Sequence, residues 1–319
     1  MKNATKSREI IPIFFAVDDR YVPYLTVALR SLIDNSSKRY DYEINVLIDT
    51  LEEDNKALLL SMQTENVRLS FFDVAEKLKS ICERLHMRDY YTKATYYRFF
   101  VPEMFPQYDR GVYLDCDIVI TDDIANLCHA PMGRNLVAAV TDEIITDIEV
   151  FANYSEKVLN IPRDEYFNAG ILVMNLAEMR RYHIEEKFAK MLGERVYRVA
   201  QDQDYLNKLC RNRVYYLSQR WNKTPMPHSD RSVTPKIAHY KINFKPWRYD
   251  NIPYAELFWK YAKKTPFYNQ FVEEKANYTD AEKLRDSMQF AGLVDLAVKE
   301  IGDEDSEDIA MEALVYAEV

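Results

Sequence analysis

Two carboxylates one residue apart, Asp115 and Asp117, follow the apolar run Gly111-Val112-Tyr113-Leu114. A chain leaving a strand can turn both side chains toward one point. Two hard oxygen donors there suit a divalent cation, Mg²⁺ or Mn²⁺, held against a diphosphate. In a chain with 51 acidic residues the same pattern also reads as a solvated strand end, so its neighbours have to decide. With only six glycines and no GxGxxG, a bound nucleotide has no Gly-rich phosphate loop and must be held by a metal and side chains. The cysteines, Cys82, Cys116, Cys128 and Cys210, form no CxxC pair and no zinc spacing, so a reducing cytoplasm is expected.

Such groups need a scaffold, and the first 250 residues alternate strands with helices. Short β-branched or aromatic runs at Ile10–Val17, Glu43–Ile48, Val67–Phe72, Val112–Asp115, Leu136–Val140 and Gly170–Met174 predict strands. Between the first two, Leu25, Ala28, Leu29 and Leu32 mark one helical face, and a second helix is expected over Leu51–Met62. Alternation of this kind implies an α/β fold whose mainly parallel sheet carries helices on both faces. Ligands then sit at the carboxyl ends of the strands, where Asp18 and Asp115 fall. From residue 251 to 319 the pattern becomes a helical extension, with helices predicted at Tyr254–Lys263, Pro266–Ala276, Asp280–Glu300 and Glu304–Tyr316. An apolar stripe of Leu284, Met288, Ala291, Leu293 and Leu296 is expected to pack on the body.

Charge narrows the partners. The net charge is −9, and residues 272–319 alone carry 14 acidic against 4 basic side chains. No basic stripe interleaved with aromatics appears there, which argues against nucleic acid and against docking on anionic lipid. The tail is expected to cap the fold or mediate self-association as a homo-oligomer. The N-terminal apolar stretch, Ile10 to Val17, is too short to span a bilayer, so no integral membrane segment is expected.

Five further segments accompany the Asp-x-Asp. They are Phe14-Phe-Ala-Val-Asp-Asp-Arg-Tyr21, Lys93-Ala-Thr-Tyr-Tyr-Arg-Phe-Phe100, Tyr166-Phe-Asn-Ala-Gly-Ile-Leu-Val-Met-Asn175, Gln201-Asp-Gln-Asp-Tyr205 and His239-Tyr-Lys-Ile-Asn-Phe-Lys-Pro-Trp247. In this order they resemble the family 8 retaining glycosyltransferases, which include bacterial lipopolysaccharide galactosyl- and glucosyltransferases and glycogenin. The likeness runs from about Ile11 to Trp247.

What the resemblance implies is a GT-A fold in residues 1–250 that binds a UDP-hexose with Mn²⁺, Mg²⁺ being the alternative ion. Asp115, Asp117 and His239 are then the metal ligands, a set that suits Mn²⁺ better than Ca²⁺. Asp18 accepts the uracil N–H, with Ala16 at the same strand end, and Cys116 and Ala169 complete the backbone around the donor. Arg98, Asn168, Asp202 and Gln203 surround the hexose, and Lys245 neutralises the diphosphate leaving group. Outside this context His239 reads as a core histidine, Asp202 as a helix N-cap and Arg98 as a surface ion-pair former. Gln203, an amide and a poor nucleophile, is expected to shield a front-face reaction rather than form a covalent intermediate. The acceptor is a glycan or glycolipid, faced by loops within residues 142–166.

One departure stands out. The family usually reads His-Tyr-x-Gly where this chain has Ile242, and a β-branched residue is expected to avoid the positive φ open to glycine. Two other readings compete: a non-catalytic nucleotide-sugar-binding module, and a haloacid-dehalogenase-type phosphatase using the first Asp of Leu114-Asp-Cys-Asp-Ile-Val119 as nucleophile.

Overall fold

The apolar runs become strands β1 (Glu9–Ala16), β2 (Tyr40–Ile48), β3 (Val67–Asp73), β4 (Gly111–Leu114), β5 (Ile118–Ile120), β6 (Val137–Ala139), β7 (Ile171–Met174), β8 (Val214–Tyr216) and β9 (Ile237–His239). The structure, a computed structural model, describes residues 8–79, 93–227, 232–302, 310 and 312–317. Seven strands form one sheet in the order β3-β2-β1-β4-β7-β6-β8. All run the same way except β7, which is antiparallel to both β4 and β6.

Alternation of side chains through the sheet explains why its central strands read as unbroken apolar runs. Phe14 and Tyr113 point into one apolar cluster, while Ile13, Phe15 and Leu114 join another. The second cluster is closed by helix Val22–Asn35 through Leu25, Ala28, Leu29 and Leu32, the four residues predicted to face inward. The strands β5, β8 and β9 are absent from the sequence reading. Each spans three residues, too few for a period of two to show. β5 and β9 pair with each other as a separate antiparallel ribbon, with Ile118 opposite His239.

Helices Ala255–Ala262, Tyr268–Asn277 and Asp280–Ile301 follow the sheet and share an apolar cluster with it. The last starts in a capping box, Thr279 with Glu282, and stops at Gly302 with φ 73°. Its buried face differs from the predicted one. Asp286, Phe290, Leu293, Val294 and Ala297 turn inward, while Leu284 and Met288 are 61% and 66% exposed. The cause is polar: Asp286 accepts from Tyr249 Oη at 2.9 Å and Tyr278 Oη at 2.6 Å, and its carbonyl accepts from Asn243 Nδ2 at 3.2 Å. A buried acid therefore sets the rotation of the helix. Most of the helix expected over Glu304–Tyr316 lies outside the described residues, and Leu314–Ala317 forms a 3-10 turn. Residues 142–166, expected as loops, instead carry helices Glu143–Asp147 and Glu149–Asn153, a π turn and a 3-10 turn. Among the described residues no helix is long and apolar enough to cross a membrane.

Candidate active site

Strand ends bring the carboxylates together. β1 leads to Ala16 and Asp18, and β4 leads to Asp115, whose N–H donates to Gly170 O at 2.8 Å where the antiparallel β7 enters. The β5–β9 ribbon supplies the third member. Tyr240 N donates to Asp117 O at 2.9 Å, which sets His239 beside the Asp-x-Asp segment. One ligand atom each from Asp115, Asp117 and His239 lies within 4.8 Å of the others. His239 Nε2 is 3.3 Å from Asp117 Oδ1 and 3.8 Å from Asp115 Oδ2.

The other imidazole nitrogen is fixed from behind. His239 Nδ1 lies 2.9 Å from Asn222 Oδ1, and the Asn222 amide is oriented because its Nδ2 donates to Asn168 Oδ1 at 2.8 Å. With the proton on Nδ1, Nε2 presents its lone pair toward the two carboxylates. Gly170 lets both groups pack against the backbone at this point. A Cβ built there would stand 2.5 Å from Asp115 Oδ2 and closer still to His239 Cε1. Two carboxylate oxygens and one imidazole nitrogen make a donor set that fits a small divalent cation. Burial works against the charge of Asp117, yet the Lys245 ammonium beside it holds its carboxyl well below the usual range.

A second group stands next to this triad in the same cleft. Arg98, 3% exposed, lies under the Tyr113 ring at 4.4 Å, bonds Asp115 Oδ1 at 3.2 Å and pairs with Asp202 Oδ2 at 3.2 Å. Its Nε, which faces Asp202, donates to Thr95 O at 2.8 Å, and its Nη1 donates to Ala169 O. Burial pushes the Asp202 carboxyl up to about 7 against the pull of Arg98. Gln203 is held on all sides: its Oε1 accepts from Ala169 N at 2.9 Å and Asn168 Nδ2 at 3.0 Å, and its Nε2 donates to Asp142 Oδ2 at 3.1 Å. Asp142 also caps helix Glu143–Asp147 and takes Lys241 Nζ at 2.5 Å.

Of the residues singled out from sequence, Ala16, Asp18, Arg98, Asp115, Cys116, Asp117, Asn168, Ala169, Asp202, Gln203 and His239 line one cleft. Lys245 does not; its ammonium is 2.6 Å from Asp117 Oδ2. Asp18 also serves as the cap of the turn Asp19–Tyr21, accepting from Tyr21 N at 3.2 Å and from Arg20 at 3.0 Å. The Cys116 thiol donates to Ala16 O at 3.3 Å, and burial pushes it well up, so it joins two strands rather than acting as a thiolate. Ile242 adopts φ 53° despite its branched side chain, contrary to the sequence expectation. The backbone thus keeps a glycine-like turn at a local cost.

Five contributors were not named as site residues from sequence: Asn222 behind His239, Asp142 and Lys241 beside Gln203, and the pair Gln201 and Asp204 at the head of helix Asp202–Cys210. Gln201 sits at φ 49°, ψ −117°, a strained conformation that aims Asp202 and Gln203. Asp204, fully buried, accepts from Tyr166 Oη at 2.7 Å, Tyr154 Oη at 2.9 Å and Ala200 N at 3.0 Å. Gln201 and Asp204 lie in the segment that opens at Gln201 and Lys241 in the one that opens at His239, whereas Asn222 and Asp142 belong to no motif and act through distant partners.

Comparison with known proteins agrees with this geometry. Residues 12–251 match the profile of Glycosyl transferase family 8. General stress protein A of Bacillus subtilis is 27% identical over 81% of this chain and 94% of its own. Lipopolysaccharide 1,3-galactosyltransferase of Salmonella typhimurium is 25% identical over 80% of this chain and 78% of its own. Among solved structures, the galactosyltransferase LgtC in complex with donor and acceptor sugar analogues superposes with a TM-score of 0.67 at 27% identity, covering 80% of this chain and 96% of that one. The bifunctional glycosyltransferase WbbM gives a TM-score of 0.74 at 28% identity over 86% of this chain, which spans 53% of the WbbM chain. The chain belongs to glycosyl transferase family 8, and its mostly parallel, helix-flanked sheet is the GT-A fold of a glycosyltransferase.

Proposed function

We propose that this glycosyltransferase moves a hexose, galactose or glucose, from a UDP-sugar to a hydroxyl of a glycan or lipopolysaccharide-type glycolipid acceptor, with retention at the anomeric carbon. Asp115, Asp117 and His239 would hold Mn²⁺, or Mg²⁺ in its place. The carrying observation is the convergence of one ligand atom from each to within 4.8 Å of the others. When bound, the cation supplies Lewis-acid stabilisation of charge on the departing diphosphate.

The chain's own residues do the rest. Asp18 and Ala16, at the end of β1, receive the uracil, and Cys116 and Ala169 complete the wall around the donor. Asp202, which Arg98 holds in place, can grip adjacent sugar hydroxyls, and Asn168 presents a fixed amide beside it. Lys245, which pairs with Asp117, brings a positive charge to the leaving-group side. Because both faces of the Gln203 amide are already hydrogen-bonded, it is better placed to shield the reacting carbon than to attack it, in keeping with a front-face reaction.

The left-handed backbone at Ile242 removes the main support for a binding module without turnover. The family match leaves the phosphatase reading without support. Buried, unpaired Cys116, Cys128 and Cys210 are in keeping with a reducing, cytoplasmic setting, and the exposed Leu284 and Met288 with self-association through the last helix. The test is slow hydrolysis of UDP-galactose and UDP-glucose. It should vanish with chelator, return with Mn²⁺, and fall by on the order of 100-fold in Asp117→Ala, about 3 kcal/mol of lost stabilisation. Full activity of that variant in chelator would refute the metal assignment.

A further inference from the structure

Opposite the charged half of the cleft stands a wall of another kind. Ile144, Ile145, Phe151, Val199, Ile242 and Leu293 line it and belong to one contiguous apolar cluster. They come from five places: helices Glu143–Asp147 and Glu149–Asn153, the segment before Asp202, the turn after His239, and the C-terminal helix Asp280–Ile301. The last of these is fixed to the body by Asp286 and by the edge-on contact of Phe290 with Phe151 at 6.0 Å, so Leu293 is a built part of the cleft.

The polar groups nearest the wall are already engaged. Asp142 accepts from Ile144 N at 3.0 Å, Asn168 Nδ2 at 2.9 Å, Gln203 Nε2 at 3.1 Å and Lys241 Nζ at 2.5 Å. A sugar whose every face carries hydroxyls would lose water here and gain few partners in return, whereas an alkyl or aryl group would lose nothing by leaving water. The wall lines the same cleft as the residues assigned to the sugar, so a group resting on it would adjoin the reacting hydroxyl.

From this arrangement we infer that the acceptor is amphipathic close to its reactive end: the hydroxyl belongs to a sugar or alcohol joined directly to an alkyl or aryl group, which rests on the wall containing Leu293. The inference rests on the transferase reading above and names its acceptor class. A hydrocarbon chain and a flat ring share the required chemistry, and the test separates them.

Full-length chain with UDP and Mn²⁺ is titrated by calorimetry with paired methyl, phenyl and octyl glucosides and galactosides, below the micelle concentration of the octyl compounds. The octyl or phenyl member of one pair should bind at least about tenfold more tightly than its methyl partner. A gain with phenyl as large as with octyl assigns a compact ring, and a gain with octyl alone assigns a chain. Leu293→Ser should cut the preference to below about threefold, while Leu293→Met, which keeps an apolar side chain, should retain it. Ile242→Gly, whose φ suits glycine, trims the wall without strain and should also reduce the preference. Equal affinity for methyl and octyl compounds, including no binding of either, overturns the inference, as does a preference that survives both Leu293→Ser and Ile242→Gly. Failure of UDP itself to bind with Mn²⁺ would instead overturn the donor reading on which this one rests.

Discussion

Replacing Gly170 with alanine adds one methyl group at the centre of the triad. Its Cβ would lie 2.5 Å from Asp115 Oδ2, closer to His239 Cε1, and 3.1 Å from Asn168 Oδ1. Ordinary contact needs about 3.4–4 Å, so the imidazole or the carboxylate has to retreat by roughly 1 Å. Overpacking of this size costs about 1–3 kcal/mol, with a fall in Tm of about 2–4 °C for each kcal/mol in a large domain. The larger effect falls on the metal. At a Mn²⁺ concentration about 100 times Kd, binding stabilises the fold by about 2.7 kcal/mol, and a site weakened about 100-fold retains about 0.4 kcal/mol at the same concentration. The Mn²⁺-induced rise in Tm should therefore nearly disappear in Gly170→Ala, and UDP-sugar hydrolysis should fall by on the order of 100-fold. Gly111→Ala is the control. Its Cβ would meet Phe14 Cε2 at 2.5 Å, in the core, so it should lower Tm while keeping the Mn²⁺-induced rise. An unchanged Mn²⁺ response in Gly170→Ala would refute the placement of the ion at this triad.

Three further outcomes are expected. Asn222→Ala, which takes the partner from His239 Nδ1, should weaken Mn²⁺ binding by about 10–100-fold in calorimetric titration, while Asn222→Asp, which keeps an acceptor there, should recover most of it; equal loss in both would refute the orienting role. Asp202→Asn should leave UDP affinity nearly unchanged while lowering kcat/KM for the sugar donor; an equal loss of UDP affinity would leave Asp202 only the structural role of partner to Arg98. Burial pushes the Asp204 carboxyl up to about 6, above its unfolded value near 3.9, so its contribution to stability is full below the unfolded value and is lost as pH rises through about 6. The stability advantage of the wild type over Asp204→Asn should thus shrink by on the order of 2–3 kcal/mol between pH 4 and 7 in urea unfolding, and a constant difference would refute that linkage.

Long apolar strands and strand-end carboxylates were legible in the sequence because burial on both sides leaves β1 and β4 almost without polar residues, and Asp18 and Asp115 stop those runs. The three-residue β5 and β9 were not, yet they carry His239 to Asp117. Asn222 and Asp142 are ordinary polar residues in sequence, and their roles come from partners on other elements. Leu284 and Met288 misled for a related reason: apolar spacing alone placed them inward, and the buried Asp286, counted only as negative charge, decided the face. Ile242 shows a third kind of limit, since residue type argued against a positive φ that the surrounding turn imposes.

The β5–β9 ribbon also fixes when the site can exist. Lys245 and Asp117 touch across 128 residues of chain, and His239 reaches Asp117 through the same ribbon. A chain emerging from the ribosome can pair β1, β2 and β4 long before residue 239 is made, but until then the Asp-x-Asp has neither its imidazole nor its lysine. Contacts this distant in sequence form late, after the loop between them has been closed. The ribbon therefore acts as a check on synthesis: a nascent chain, or one ended before residue 237, can pair its first strands and carry two carboxylates, yet the charge-balanced centre needs the segment from Ile237 to Lys245.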